Sequence, residues 1–411
     1  MRAEDGLPVW LRPVPGRLVH LEAPPTVDRN RVYVCGGDAG VLCLELKRVV
    51  TPQGQEQDLA AVVPALAKQW GEMLAKYKLE KQRDPQFALP PAETALPIPS
   101  PKLVWQQGQG KWHVDAPATA VGDSVLVASA FLDEEKIGRR SLLCLKAADG
   151  SVVWECPLQV NPWSGPTVAG QTVLVGCSSI RFDRKLLGQA QGEVLGIDLA
   201  NGQVRWREKL PAGVLSPIAV QGETAVYTST DGKVTARHVP TGRALWSYQA
   251  ANPFFAGVAI AGDAVYAADL KAQVYSLRLA DGQPRWTFNL AADPAVQSRT
   301  MVFGSPVVHG GDLYLATCNL DGEADQPSVV VCLSDKAQAT AATAQPLAVL
   351  PDRRRVVIPC RIAPRKLPTL QEIYPLEVVA SFPSPRGQKA HETIVTFECK
   401  PSEVHKSLES L

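Results

Sequence analysis

The chain has no apolar run long enough to span a membrane, no Cys-x-x-Cys, and almost no net charge, +1 over 411 residues. The first absence leaves no place for a spanning helix. The second, with no Cys/His cluster at zinc spacing, removes the structural-zinc reading of the nine cysteines. The third gives bulk electrostatics no preference for nucleic acid or anionic lipid. Met1-Arg2-Ala3-Glu4-Asp5 does not read as a signal peptide, because it is polar and is expected to run straight into a strand. No Ser/His/Asp order, paired-carboxylate site or nucleotide fingerprint stands out, so no catalytic or metal-binding residue is assigned.

What is present is a repeat. Asp149-Gly150 precedes Trp154, Asn201-Gly202 precedes Trp206, Thr241-Gly242 precedes Trp246 and Asp281-Gly282 precedes Trp286, with the same Gly-to-Trp spacing each time. Asp5-Gly6 and Trp10 form a fifth copy, and Trp105 stands without its turn. Upstream of each Trp lies a column of small residues, Cys43, Cys144, Gly196, Ala236, Ser276 and Cys332, each inside a short β-like run. Small side chains are expected there because large ones would overpack. Further upstream come runs such as Val173-Leu174-Val175 and Ala264-Val265-Tyr266, preceded by Gly-Gln or Gly-Asp turns.

Four short strands per repeat of about forty residues is the pattern of a propeller blade. The expected fold is an all-β propeller of about six four-stranded blades over residues 1–333. The Trp10 segment is expected to close the last blade, leaving no open edge.

Residues 49–101 interrupt the first blade. Leu59, Val62, Val63, Leu66, Trp70, Met73, Leu74 and Tyr77 recur at helical spacing, with a start expected near Pro64. An extended proline-rich strap, 89–101, follows. This insertion is either a helix packed on the propeller flank or an arm for a partner. Residues 334–347 read as a linker, and 348–411 as a small α+β module with a helix opening at Pro401-Ser402-Glu403. The chain stops inside that helix without a terminator, as a fragment would. His391-Glu392 lacks the second His of a zinc motif, and Arg353-Arg354-Arg355 reads as a solvated basic face.

Binding residues are sought where the chain departs from the repeat columns, on the connections between strands. Lys111-Trp112-His113-Val114-Asp115 and Asn161-Pro162-Trp163-Ser164-Gly165 each carry a tryptophan beyond the repeat set. Trp112, His113, Asp115, Asn161 and Trp163 are the candidate ligand or partner contacts. Rings beside amides and carboxylates suit a glycan, a peptide or a flat-ring ligand. The alternative is that the rings fill gaps between blades.

The run Gly196-Ile197-Asp198-Leu199-Ala200-Asn201-Gly202-Gln203-Val204-Arg205-Trp206 resembles the PQQ-like propeller repeat, shared by quinoprotein alcohol dehydrogenases and the outer-membrane assembly lipoprotein BamB. The resemblance covers roughly residues 5–333 and implies that Trp10, Trp105, Trp154, Trp206, Trp246 and Trp286 dock between neighbouring blades. The family's docking Asp survives as Asp198, whereas Lys146, His238 and Arg278 replace it elsewhere. The stretch from Val356 onward is similar to YdjY-type modules. The implied function is a monomeric, non-enzymatic scaffold binding protein or polymer partners at the bacterial cell envelope, on the periplasmic side and without a cofactor. The quinoprotein alternative calls for PQQ with calcium, but its adjacent-cysteine pair is missing here. A glycan-binding module is the third reading.

Overall fold

The computed structural model describes residues 7–13, 23–84, 88–89, 92, 95–180, 184–293, 296, 301–318, 328–334, 348–350, 355–357, 360–362, 378–381 and 393–397. The chain divides into two units, Met1–Pro217 with Val239–Gly242, and Ile218–His238 with Arg243–Leu411.

The first unit holds three antiparallel sheets and a helix. Its opening sheet is β1 (Thr26–Asp28), β2 (Arg31–Cys35), β3 (Val41–Val50), β4 (Glu56–Asp58) and β5 (Ser100–Gln107), with α1 (Leu59–Arg83) between β4 and β5. The next two are β6 (Thr119–Val121), β7 (Ser124–Leu132), β8 (Ile137–Lys146), β9 (Val152–Pro157), and β10 (Thr167–Ala169), β11 (Thr172–Ser178), β12 (Gly192–Asp198), β13 (Val204–Leu210).

The second unit begins with β14 (Ala219–Gln221), β15 (Thr224–Thr228), β16 (Lys233–His238), β17 (Ala244–Gln249). It continues with β18 (Ala259–Ala261), β19 (Ala264–Ala268), β20 (Gln273–Arg278), β21 (Pro284–Asn289). Its third sheet is β22 (Met301–Val302), β23 (Val307–His309), β24 (Asp312–Cys318) and β25 (Val330–Leu333), and short ladders follow between residues 348 and 397.

Inner strands are buried on both faces, which is why they read as unbroken apolar runs. The two faces of one strand serve two neighbours. Val125 and Val127 of β7 pack toward Tyr33, Val41 and Cys43 of the sheet before, whereas Leu126 and Ala128 pack toward Val173, Val175 and Leu195 of the sheet after. In the second unit Val226 and Ala236 meet Val265 and Leu277, while Ala268 and Val274 meet Leu313 and Leu315. The period-two side-chain rule thus becomes face-to-face stacking of sheets.

Register gives the reason for the small-residue column. Cys43 lies opposite Trp105, Cys144 opposite Trp154, Gly196 opposite Trp206, Ala236 opposite Trp246 and Ser276 opposite Trp286. A bulge follows each of these pairs and re-aims the tryptophan. A Cβ on Gly196 would sit 2.3 Å from the Trp206 indole nitrogen, so the column is small because a ring crosses it. Cys332 is a correction to the expected buried column: it is exposed. Among the described residues no strand with a tryptophan pairs with the outer side of β25.

Four of these rings then seat on the following turn. The indole N–H donates to Ala147 O from Trp105 (3.0 Å), to Leu199 O from Trp154 (2.9 Å), to Val239 O from Trp206 (2.8 Å) and to Leu279 O from Trp246 (2.7 Å). The ring faces lie against Gly150, Gly202, Gly242 and Gly282 in the same order. Where Asp198 is replaced, the turns are held otherwise: Arg278 bonds Asp281, and Asp149 accepts from Ser151 N–H.

Two of the six expected docking residues differ. Trp286 is 40% exposed and rests against Tyr266; the four residues after β25, Ser334 to Ala337, contain no glycine to seat it. Trp10 belongs to a segment, 7–13, that forms no strand. Its neighbour Leu11 donates N–H to Pro99 O, and Leu7 is buried against Leu66 of α1 and Leu96. The apolar side of the helix captures this segment, so the expected pairing with the last sheet is not formed by the described residues.

The helix begins earlier than expected, at Leu59, because the Asp58 side chain caps it by accepting from Ala60 N–H. Pro64 lies inside it. Val49 and Val50 belong to β3, which shortens the insertion at its start. The linker beyond residue 334, the Asp5-Gly6 turn, His391-Glu392 and the helix expected at Pro401 lie outside the described residues.

The seat predicts a graded cost. Gly202 has φ +74° and its Cβ would meet the Trp154 ring at 2.6 Å, whereas Gly170 has φ +57° and open space. In urea unfolding, Gly202→Ala is expected to lose about 2–4 kcal/mol and Gly170→Ala only about 1–2 kcal/mol. Equal losses would mean that backbone conformation alone, and not the ring, constrains the turn.

Candidate functional site

A cleft of about 620 Å³ opens in the first unit between the β7–β8 hairpin and the segment 159–163. The hairpin overhangs because β7 and β8 run 9 and 10 residues, against 5 and 6 in β15 and β16. His113, Asp115, Asn161 and Trp163, four of the five expected contacts, line it together with Phe131, Asp133, Glu134, Glu135 and Arg140. Trp112 does not. It is 6% exposed, packs with Tyr33, Val114 and Leu143, and lies against Gly108, whose Cβ would fall 2.0 Å from its ring. The gap-filling reading holds for Trp112, and a paired-tryptophan platform with Trp163 is not formed.

His113 is held on both sides. Its Nδ1 is 2.5 Å from Asp38 Oδ1 and its Nε2 2.5 Å from Asp115 Oδ2. The backbone fixes the ring's position: His113 N–H donates to Ser129 Oγ, and Ala130 N–H donates to His113 O. Burial pulls the imidazole pKa down, but hydrogen bonds and charge from Asp115 and Asp38 outweigh it and push it up to about 9. At neutral pH the ring is therefore an imidazolium donating to two carboxylates. Those carboxylates flank the ring on opposite edges, and among the described residues no three His, Cys, Asp or Glu side chains converge to hold a metal.

The far wall is equally committed. Asn161 Oδ1 accepts from Phe131 N–H at 2.9 Å and from Arg140 Nε at 3.2 Å, and its Nδ2 donates to Phe131 O at 3.0 Å. The Arg140 guanidinium lies over the Phe131 ring, 5.4 Å from its centre, and pairs with Asp133 at 3.3 Å. Trp163 donates its indole N–H to Ser178 O. Below, Gln159 N–H donates to Glu193 Oε1 at 2.7 Å; this carboxylate is 1% exposed, with Arg207 3.5 Å from its other oxygen. Exposed Glu134 and Glu135 at the hairpin tip form an acidic lip.

The sequence reading missed Asp38, Phe131, Arg140 and Glu193. Asp38 sits in the β2–β3 turn, far from His113 in sequence, and Glu193 looks like any strand carboxylate. Only the hairpin carried a signal: Asp133-Glu134-Glu135 lies at the end of strands longer than those of the corresponding β15–β16 hairpin.

The His113 clamp sets a pH dependence. A raised folded-state pKa stabilises fully below the unfolded value near 6.5 and loses that contribution as pH rises through about 9. Denaturation across this window should show a decline of at most about 3 kcal/mol. His113→Gln should flatten the decline, and a slope unchanged in that variant would refute the clamp.

The family model described as outer membrane protein assembly factor BamB matches residues 94–182 and 181–357, more than half of the chain. BamB of Nitrosomonas eutropha is 34% identical over 106 residues, 25% of this chain and 26% of its own. BamB of Burkholderia pseudomallei is 27% identical over 231 residues, 54% of this chain and 55% of its own. The chain thus matches about half the length, or less, of these curated relatives. Among solved structures, BamB from Moraxella catarrhalis aligns with TM-score 0.47 and 16% identity, covering 77% of this chain and 71% of that one. The computationally designed Ika8 protein aligns with TM-score 0.47 and 10% identity, covering 72% and 67%. On the family match, which spans the repeats from β5 onward, the chain belongs to the family of the outer membrane protein assembly factor BamB.

Proposed function

We propose that the protein is a non-catalytic propeller that binds protein partners during outer-membrane protein assembly, on the periplasmic side of the envelope, and that each of the six sheets formed by β1 to β25 is one blade. The stretch from residue 348 onward is a separate module of the YdjY type in this reading. The observation that carries the function is the family match across the repeats. The cleft's chemistry supports it. Both nitrogens of His113 are engaged by carboxylates, and Asn161 and Arg140 are tied to the hairpin. Groups so satisfied fix shape and charge instead of offering a free base or nucleophile. Aromatic surface from half-buried Phe131 and Trp163 beside an acidic lip is the composition of a protein-docking site. The reading needs no cofactor.

The test is complementation in a bacterium lacking its own assembly factor of this family. Expression of the chain in the periplasm is expected to restore outer-membrane β-barrel protein levels. Glu134→Lys with Glu135→Lys is expected to weaken partner binding on the order of tenfold while leaving the fold intact, since both residues are exposed. Saturable, calcium-dependent PQQ binding with dye-linked alcohol oxidation would instead establish a quinoprotein enzyme and overturn the scaffold.

A further inference from the structure

The cleft beside the β7–β8 hairpin carries more charge than its walls consume. Four carboxylates line it, Asp115, Asp133, Glu134 and Glu135, against two cations, His113 and Arg140. Both cations are already matched. His113 lies between Asp115 and Asp38, and Arg140 pairs with Asp133. What is left over is negative: Glu134 and Glu135 have no cation within ion-pair distance among the described residues. Lys136, the next residue of the turn, is exposed and does not line the cleft.

These two acids differ from a run of charge on a loose loop in two respects. The hairpin beneath them is clasped, since Asn161 bonds both the N–H and the O of Phe131 and accepts from Arg140 Nε. The carboxylates therefore stand on a wall that is already in place before anything binds. The cavity they face, of about 620 Å³, is also lined by half-buried Leu132 and Val160. Apolar walls below a negative lip match a side chain that is aliphatic along its stem and cationic at its tip.

We propose that the cleft takes a basic segment of a partner protein, with an arginine or lysine stem along Leu132 and Val160 and its cation at Glu134 and Glu135. Charge complementarity selects this occupant, because an acidic segment would meet two like charges and a neutral one would leave both unpaired. A small free polycation satisfies the carboxylates but leaves the apolar lining wet, whereas a side-chain stem covers it. The inference rests on the proposed partner-binding role and specifies the chemistry that the partner presents.

The experiment is fluorescence anisotropy of the full chain with a short labelled peptide alternating arginine and threonine, and with its citrulline counterpart, which keeps the shape and loses the charge. The arginine peptide is expected to bind and the citrulline peptide not, with affinity falling as salt rises. Glu134→Gln with Glu135→Gln should weaken binding about fivefold, the effect of two exposed ion pairs. Val160→Thr should weaken it without altering its salt dependence, and Glu72→Gln, an exposed acid of α1 outside the cleft, should leave it unchanged. Circular dichroism should show the double Gln variant folded, since both replaced side chains are exposed. Equal binding of the two peptides, undiminished binding by the double variant, or spermidine binding as tightly as the peptide would each overturn the proposal. Failure of the unaltered chain to bind, with binding gained on Arg181→Gln and Arg184→Gln, would assign the lip to the chain's own cations and overturn it too. Complementation without peptide binding would leave the assembly role standing and sink this inference alone, whereas peptide binding without complementation would count only against that role.

Discussion

The fold depends on a tryptophan of one repeat lying flat on the glycine of the following turn. Two requirements meet there. The indole N–H needs an acceptor once it is buried, and the carbonyls of Ala147, Leu199, Val239 and Leu279 supply one. The ring also needs space, which the turn gives by carrying no Cβ and the strand gives by holding a small residue opposite. A single side chain therefore dictates residue size at two distant positions and fixes the spacing between them. Apolar stacking of sheets supplies the larger area, but area alone is tolerant of sliding. The seat determines how one sheet sits against the next.

The same constraint explains how much of the architecture could be read in advance. Gly-to-Trp spacing and the small column are direct imprints of the seat, so strands, hairpin order and Trp105, Trp154, Trp206 and Trp246 were legible. Trp286 and Trp10 show the limit. Each repeats the motif, but a seat also requires a receiving turn, and the motif of the donor carries no information about the receiver. Cys332 fails for the same reason: it matches its column, but without a ring opposite it the position has no cause to be enclosed. The helix start was misplaced because Pro64 is a conspicuous local signal, whereas the Asp58 cap is one carboxylate in a polar stretch.

The cleft was partly legible, and its missing half is long-range. Trp112 and Trp163 look alike as surplus tryptophans. What separates them is Gly108, which leaves room for the Trp112 ring inside the core. His113 gains its character from Asp38, brought in by a turn of the neighbouring sheet. Asn161 acts through a backbone segment thirty residues away. Hydrogen bonds of this kind leave no periodic trace, since each is a single pairing that only the fold creates. Their effect is preorganisation: the hairpin is clasped, the imidazolium is fixed between opposite charges, and the cleft keeps its shape without a ligand.

Charge in this chain follows from the repeat by exclusion. Inner strands are enclosed on both faces and cannot hold unpaired charge without a large desolvation cost; where a carboxylate does enter, at Glu193, Arg207 accompanies it. Ionic groups lie instead on the outer strands, as at Arg205, Arg207, Glu208 and Lys209 of β13, and where the chain departs from its period. The overhanging hairpin collects Asp133, Glu134 and Glu135, and the inserted helix collects Lys76, Lys78, Lys81 and Arg83. A near-zero sum over the whole chain coexists with such separated patches, so it excludes bulk attraction to a charged polymer but not local recognition. Where the inner strands are occupied with holding one another, the overhanging hairpin and the inserted helix are the segments left to carry concentrated charge of one sign.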